Sequence, residues 1–172
     1  MLLHAPRSPL PDLRIAAPDL ADLTAVTRRI AADVRAGHHE VHVDPAQRWY
    51  QRLHGDDYLD VWLISWATEQ AAELHDHAGS LGALTVVSGR LTEEFWDPAA
   101  PALRTRTLHA GRSVGFGIGH IHEVSNPSTD TAVSVHAYSP PLTAMSYYDV
   151  TGPRLRRTRT ELTEPGSTKG IG

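Results

Sequence analysis

The stretch of sequence that decides the fold is LHDHAGSLGALTVVSG, residues 74–89. Its two histidines, His75 and His77, stand two positions apart, and the glycines Gly82 and Gly89 follow them. Side chains at positions i and i+2 of an extended strand share one face and lie about 7 Å apart along the chain. The two imidazoles can therefore converge on one ion, although a His-x-His pair by itself occurs about as often without a metal.

A second glycine-rich unit follows at residues 111–126, GRSVGFGIGHIHEVSN. It contains His120 and His122, again two positions apart, and ends at Asn126. Its glycines could be mistaken for a phosphate-binding loop, but no helical pattern follows that would supply backbone N–H groups to a phosphate. We therefore interpret this unit as a strand, a turn and a second strand.

The pattern of apolar residues changes near residue 41. Before it, residues 18–36 predict an amphipathic helix with Pro18 in its first turn and Gly37 near its end, because apolar side chains recur at spacings of three and four. After it, short runs rich in Val, Leu, Thr and aromatic residues alternate with turn residues, which is typical of an all-β barrel or sandwich. We predict strands near residues 47–53, 59–67, 81–88, 90–96, 103–109, 112–117, 121–125, 131–138 and 145–150.

The length of 172 residues suits one domain. We expect a single domain over residues 1–151, with an N-terminal helical segment at 1–40 and a β-barrel at 41–151. Residues 152–172 contain almost no apolar side chain, so we expect a surface tail there.

The composition excludes several classes of function. The formal net charge is −4, so no overall positive field would attract nucleic acid or an anionic membrane. No window is apolar enough to span a membrane. The chain contains no cysteine, which excludes disulfides, thiolate metal sites and a cysteine nucleophile. We expect a cytoplasmic monomer that binds neither nucleic acid nor a membrane.

The two spaced units resemble the two sequence motifs of the cupins, small double-stranded β-barrels or jelly rolls in which two histidines of the first unit and one of the second hold a metal. Two positions depart from the motifs: Gly82 stands where the first usually has Glu, and Gly117 where the second usually has Pro. The resemblance implies a ligand set without a carboxylate, namely His75, His77 and His122. His120 remains the alternative third ligand.

SVHAYSPP at residues 134–141 narrows this resemblance to the cysteine dioxygenase family, a branch of the cupins. The family shares the His-Asp-His run of the first unit, and the likeness extends from Tyr50 to Asp149. In animal members a cysteine near the first unit is joined to the active-site tyrosine. The matching position here is Gly82, a residue common in bacterial members, so Tyr138 would stay unmodified.

The resemblance assigns roles to one strand of polar residues. Ser134, His136 and Tyr138 alternate along the chain, so their side chains share a face. Ser134 and His136 would orient Tyr138, whose hydroxyl would face the substrate and dioxygen. The structural alternative is a core tyrosine with a buried hydroxyl partner.

Three further residues would surround the substrate. Tyr50-Gln51-Arg52 resembles the family's Tyr-x-Arg, in which the guanidinium holds the substrate carboxylate through two parallel hydrogen bonds and the tyrosine supports it. Trp66 resembles the family's tryptophan beside the substrate pocket. The alternatives are a solvated Arg52 and a plain core Trp66. We interpret the adjacent Glu93 and Glu94 as a solvated pair near a turn.

The resemblance thus implies an Fe(II)-dependent thiol dioxygenase, whose partners are a small thiol and O2. The favoured candidate substrate is L-cysteine, which would be oxidised to cysteine sulfinic acid, because relatives acting on 3-mercaptopropionate tend to carry Gln in place of Arg52. 3-mercaptopropionate is the alternative substrate. A cupin that holds a metal without catalysis is the alternative of another class, and three imidazoles also suit Zn, Ni, Cu or Co.

Overall fold

The computed structural model describes residues 17–163. They form one helix and eleven strands: α1 Leu20–Arg35, β1 Trp49–Gly55, β2 Asp60–Trp66, β3 Ala71–His75, β4 Leu81–Ser88, β5 Arg90–Asp97, β6 Ala102–His109, β7 Ser113–Phe116, β8 His122–Ser125, β9 Ala132–Ser139, β10 Ala144–Thr151 and β11 Arg154–Leu162. The parts of the predicted helical segment and tail that fall in residues 1–16 and 164–172 lie outside the described residues.

The strands form two antiparallel sheets. The first has the order β1-β2-β9-β4-β7 and the second the order β11-β10-β3-β8-β5-β6. Sheet neighbours are mostly distant in sequence: β3 lies between β10 and β8, and β9 lies between β2 and β4. The prediction of an all-β cupin with one helical segment is confirmed.

Two apolar cores explain why the inner strands β2 and β9 of the first sheet are completely buried. One core fills the space between the sheets and includes Trp62, Trp66 and Leu84. The other lies between α1 and the outer face of the first sheet and includes Ile30 and Val135. Because β2 and β9 contribute to both cores, every residue of these two strands is buried.

Helix α1 begins two residues later than predicted. Asp19 is its N-cap, and Asp19 and Asp22 form a reciprocal capping box with each other's backbone N–H. A capping carboxylate satisfies an N–H group that has no partner within the helix. Pro18 therefore precedes the cap and does not belong to the first turn.

Two strands of the second sheet, β3 and β11, were not predicted from the sequence. Ala and Glu are depleted in strands, and they make up most of β3, which is held by its neighbours β10 and β8. Residues 154–162 were expected in a surface tail. They do lie mostly exposed, but they form the edge strand β11 along the whole of β10. Backbone pairing at a charged sheet edge needs no apolar side chain, so the missing apolar pattern was misleading.

Within residues 17–163, the single helix is neither long nor apolar enough to cross a bilayer.

Candidate metal centre and active site

Three buried histidines meet between the sheets. The ring centroids of His75, His77 and His122 lie 4.8 to 5.1 Å apart. Each ring offers one nitrogen, and these nitrogens all lie within 4.8 Å of one another. The structure thus brings together the three residues that the sequence singled out as metal ligands.

The local backbone brings His75 and His77 together in a different way from the extended strand that their spacing suggested. The two do not share an extended strand, because β3 ends at His75. The pairing of β3 with β8 shifts register between Ala72 and His75, and both of these side chains line the same cavity. A bulge re-aims side chains in this way, since an unbroken strand would turn residues three apart to opposite faces.

Asp76 holds the turn that carries His77. Its Oδ1 accepts hydrogen bonds from the backbone N–H of Ala78 at 3.0 Å and of Ser146 at 3.2 Å, and its Oδ2 accepts one from the Tyr148 hydroxyl at 2.6 Å. The short segment between the two histidines is therefore fixed to β10.

The histidine nitrogens are prepared to accept a cation. Burial lowers the pKa of His75 and His77 well below the ordinary value and also lowers that of His122, so the rings are neutral. His75 Nδ1 donates to the Glu73 carbonyl at 2.5 Å, which leaves its Nε2 with a lone pair 3.2 Å from His77 Nε2. Two nitrogens about 2.1 Å from a shared ion would stand about 3.0 to 3.4 Å apart. The residues present therefore fit a metal with imidazole ligands.

The interpretation of Glu93 and Glu94 as a solvated pair was wrong. Glu93 is 0 % exposed and interacts with His120, His122 and Arg106. Although burial works to raise it, these three hydrogen bonds lower the pKa of Glu93 well below its usual range. Strand alternation could have indicated the burial of Glu93, because residues 91 and 93 of β5 share a face and Leu91 is buried.

His120 lies behind the three converging histidines. Its Nε2 is 3.0 Å from Glu93 Oε1, and its ring stacks on Phe116 at 5.4 Å and on Phe95 at 5.8 Å. It belongs to a second potential ligand group with Glu93 and His122, not to the group of His75 and His77.

A row of hydrogen bonds runs along the opposite wall. Trp66 Nε1 donates to Ser134 Oγ at 2.9 Å, Ser134 Oγ lies 2.9 Å from His136 Nε2, and His136 Nδ1 lies 3.3 Å from the Tyr138 hydroxyl. Burial lowers the pKa of His136 to about 3 and raises that of Tyr138, so both side chains are neutral. Strand alternation thus places Ser134, His136 and Tyr138 of β9 on one inward face.

The two walls enclose a small cavity that is partly open to solvent. The second sheet contributes His75 and His122, and the first contributes Trp66, His136 and Tyr138. Apolar side chains complete the lining: Ile64, Ala72 and Val124. The polar groups of the two sheets face one another across this cavity.

Phe116 fills the space beside Gly82. Its ring stacks on His77 at 5.0 Å and lies 4.9 Å from that of His122. A Cβ on Gly82, the residue opposite Phe116 in the pairing of β4 with β7, would overlap the Phe116 ring. A side chain at position 82 would therefore require the Phe116 ring to move.

Two arginines approach this region, and the sequence singled out one of them. Arg52 is paired with Asp60, with Nε 2.7 Å from Oδ1, and Tyr50 packs against Trp62 at 6.0 Å. The Arg48 guanidinium carbon lies 4.7 Å from the centre of the Trp66 ring, and Arg48 donates to the Ala71 carbonyl at 3.0 Å. Arg48 was missed because it lies directly before β1, outside the Tyr-x-Arg run, and only the tertiary structure brings it to Trp66.

Comparison with known proteins agrees with this geometry. The family model described as "Cysteine dioxygenase type I" matches residues 14–151. Cysteine dioxygenase type 1 of Danio rerio is 26% identical over 106 residues, which is 55% of this chain and 52% of the relative. Its counterpart from Rattus norvegicus is 30% identical over 104 residues, with the same coverage of 55% and 52%. The chain spans about half the length of the curated relatives it matches.

Solved structures share the fold at low identity. A conserved protein with a double-stranded β-helix domain from Klebsiella pneumoniae has a TM-score of 0.52 at 14% identity, over 69% of this chain and 90% of that one. The cupin domain of Cnp3 from Schizosaccharomyces pombe has a TM-score of 0.51 at 7% identity, over 59% and 65% of the two chains. Since the family model covers well over half of its length, this cupin-fold chain belongs to the cysteine dioxygenase type I family.

Proposed function

We propose that this protein is an Fe(II)-dependent thiol dioxygenase that adds both atoms of O2 to the sulfur of a small thiol acid, with L-cysteine, oxidised to cysteine sulfinic acid, as its first substrate. One observation carries the proposal: three buried neutral imidazoles converge beside one small cavity, which two of them line together with Tyr138. His75, His77 and His122 would hold the iron. When bound, the ferrous ion would supply the redox chemistry that joins dioxygen to sulfur.

The hydrogen-bonded row of β9 would prepare Tyr138 as a donor to the substrate. An indole N–H can only donate, so Ser134 Oγ accepts from Trp66 and can donate a hydrogen bond to His136 Nε2. The neutral His136 ring then carries its proton on Nδ1 and donates a hydrogen bond to the Tyr138 oxygen. The Tyr138 O–H is left to donate into the cavity, and burial keeps the phenol protonated at neutral pH by raising its pKa.

We assign the substrate carboxylate to Arg48, with Arg52 as the alternative anchor. Arg48 lies over Trp66, which lines the cavity, and its positive charge helps to lower the pKa of His75 and of His136. Arg52 already pairs with the buried carboxylate of Asp60. A guanidinium meets a carboxylate through two parallel hydrogen bonds, so one arginine near the cavity suffices to hold a thiol acid.

The test supplies Fe(II) under anaerobic conditions, adds L-cysteine or 3-mercaptopropionate, and then admits labelled dioxygen. We expect oxygen uptake and a sulfinate product that carries two labelled oxygen atoms, with L-cysteine preferred. A faster reaction with 3-mercaptopropionate would change the substrate but keep the reaction. Bound iron without uptake for any small thiol would indicate instead a cupin that holds metal without catalysis.

A matched pair of variants links this reaction to the proposed site. His122→Ala removes one of the converging imidazoles, whereas His109→Ala changes an exposed histidine at the end of β6. We expect the first variant to lose both bound iron and oxygen uptake, and the second to keep both. Equal activity in the two variants would contradict the proposed ligands.

A further inference from the structure

A buried carboxylate stands directly behind one of the three converging histidines. Glu93 Oε1 lies 2.8 Å from His122 Nδ1 and 3.0 Å from His120 Nε2, and Glu93 Oε2 lies 2.5 Å from Arg106 Nε. The neighbouring strands β5 and β8 create this arrangement, with Glu93 opposite Val124 and Phe95 opposite His122. A residue that the sequence placed in solvent therefore contacts both rival third ligands.

The chemistry of the carboxylate determines which nitrogens carry protons. An ionised carboxylate can only accept hydrogen bonds, so both imidazole nitrogens that contact it must be donors. His122 therefore bears its proton on Nδ1, and its Nε2 keeps a lone pair for the space shared with His75 and His77. The Nε2 of His120 is protonated for the same reason and cannot bind a metal, and His120 does not belong to the group of His75 and His77.

The same atoms do not make a good second cation site. Glu93, His120 and His122 offer ligand atoms close to one another, but Arg106 already places a positive charge at this carboxylate. Both imidazole contacts also have the length of ordinary hydrogen bonds. The cluster is therefore a network of donors around one buried anion.

We propose that Glu93 is a positioning residue of the metal site, which holds the His122 ring so that Nε2 faces His75 and His77 and keeps His120 out of the ligand set. A carboxylate behind a ligating histidine also raises the basicity of that ligand, and such partners are worth about 10- to 100-fold in metal affinity. This inference rests on the proposed metal site, and its tests separate the two.

The first test measures Co(II) binding to Glu93→Gln beside its neighbour Glu94→Gln. Gln is nearly isosteric with Glu but uncharged, and Glu94 is half-buried with its Oε1 bonded to Thr105. We expect Glu93→Gln to bind Co(II) about 10- to 100-fold more weakly, with shifted visible absorption bands, and Glu94→Gln to match the wild type. Wild-type affinity and spectrum in Glu93→Gln would overturn the proposal.

His120→Ala provides the complementary measurement. We expect it to keep one Co(II) per chain and the wild-type absorption bands, because Glu93 still holds His122. Loss of the metal in this variant would mean that His120 is the ligand and would overturn the proposal.

A second test needs no variant, which matters if Glu93→Gln does not fold. Long-range ¹H–¹⁵N NMR on the metal-free wild type reports which nitrogen of each histidine carries the proton. We expect Nδ1–H for His122, and the opposite tautomer would refute the role of Glu93. If the wild type binds no Co(II), the proposed metal site fails, while the tautomer of His122 still decides the inference about Glu93.

Discussion

The ring of Phe116 occupies the space into which any side chain at Gly82 would extend. The two residues face each other across β4 and β7, and Phe116 also packs against His77 and His122. Phe116 therefore fills the space beside the converging histidines that a larger residue at position 82 would need.

Enlarging Gly82 should destabilise the protein. We expect Gly82→Ala to lower the free energy of unfolding by about 1 to 3 kcal/mol, because the added methyl forces Phe116 out of a packed core. Gly117→Ala is the control, since a Cβ at that position meets nothing within 4 Å. Urea unfolding of both variants checks the difference, and adding Phe116→Leu to Gly82→Ala should recover part of the loss. Equal stability of the two alanine variants would contradict this packing.

The hydroxyl of Tyr138 should matter for turnover and not for metal content. We expect Tyr138→Phe to lower kcat/KM for L-cysteine by about 10- to 100-fold, in line with the loss of a hydrogen bond worth about 1.5 to 3 kcal/mol to a charged partner. Tyr58→Phe changes a tyrosine that is 51% exposed and should have no effect. Oxygen uptake and iron analysis on both variants provide the measurement, and full activity of Tyr138→Phe would rule out the proposed donor.

Substitutions of Arg48 and Arg52 should have different effects, and a substrate without a carboxylate should reveal the difference. We expect Arg48→Gln to lower kcat/KM for L-cysteine by about 10- to 150-fold, the loss of a charge-assisted contact. The same variant should handle cysteamine, which lacks the carboxylate, much as the wild type does.

Arg52→Gln should instead reduce stability, by about 1 to 3 kcal/mol, because Asp60 would lose its buried partner. Steady-state kinetics with both thiols and urea unfolding check this pair of expectations. A selective loss of L-cysteine turnover in Arg52→Gln, with Arg48→Gln unaffected, would return the anchor to Arg52.

The metal-free protein should lose stability in acid well before its carboxylates titrate. Burial holds the pKa of His136 at about 3, whereas the unfolded imidazole titrates near about 6.5. Below that value the unfolded chain binds a proton that the folded chain does not, so the free energy of unfolding falls by up to about 1.4 kcal/mol per pH unit for this ring. The lowered pKa values of His75, His77 and His122 act in the same direction.

His136→Gln tests this assignment by removing one of the four imidazoles. Urea unfolding between about pH 6.5 and pH 4.5 should show a shallower loss of stability in the variant, by about one proton. Identical pH slopes in the variant and the wild type would show that His136 is not held neutral by the fold.

Local pattern was sufficient for the general architecture of this protein. The change from spacings of three and four in residues 18–36 to short β-rich runs predicted one helix and a β-barrel, because helix and strand periods are properties of the chain itself. The two glycine-rich units with His75, His77 and His122, together with residues 134–141, indicated the family by resemblance. Strands β3 and β11 were not predicted, because pairing with neighbouring strands holds them and their own side-chain pattern does not indicate a strand.

The chemistry around the three histidines depended on contacts between distant segments. The bulge of β3 aims His75, β5 places Glu93 behind His122, and β7 places Phe116 beside Gly82. Asp60 holds Arg52, whereas Arg48 lies over Trp66, which lines the cavity. The sequence by itself determined which residue types occur and how they are spaced, because both are local properties of the chain. Tertiary structure decided which charges, lone pairs and rings meet, because such pairings arise only when strands far apart in the chain lie side by side.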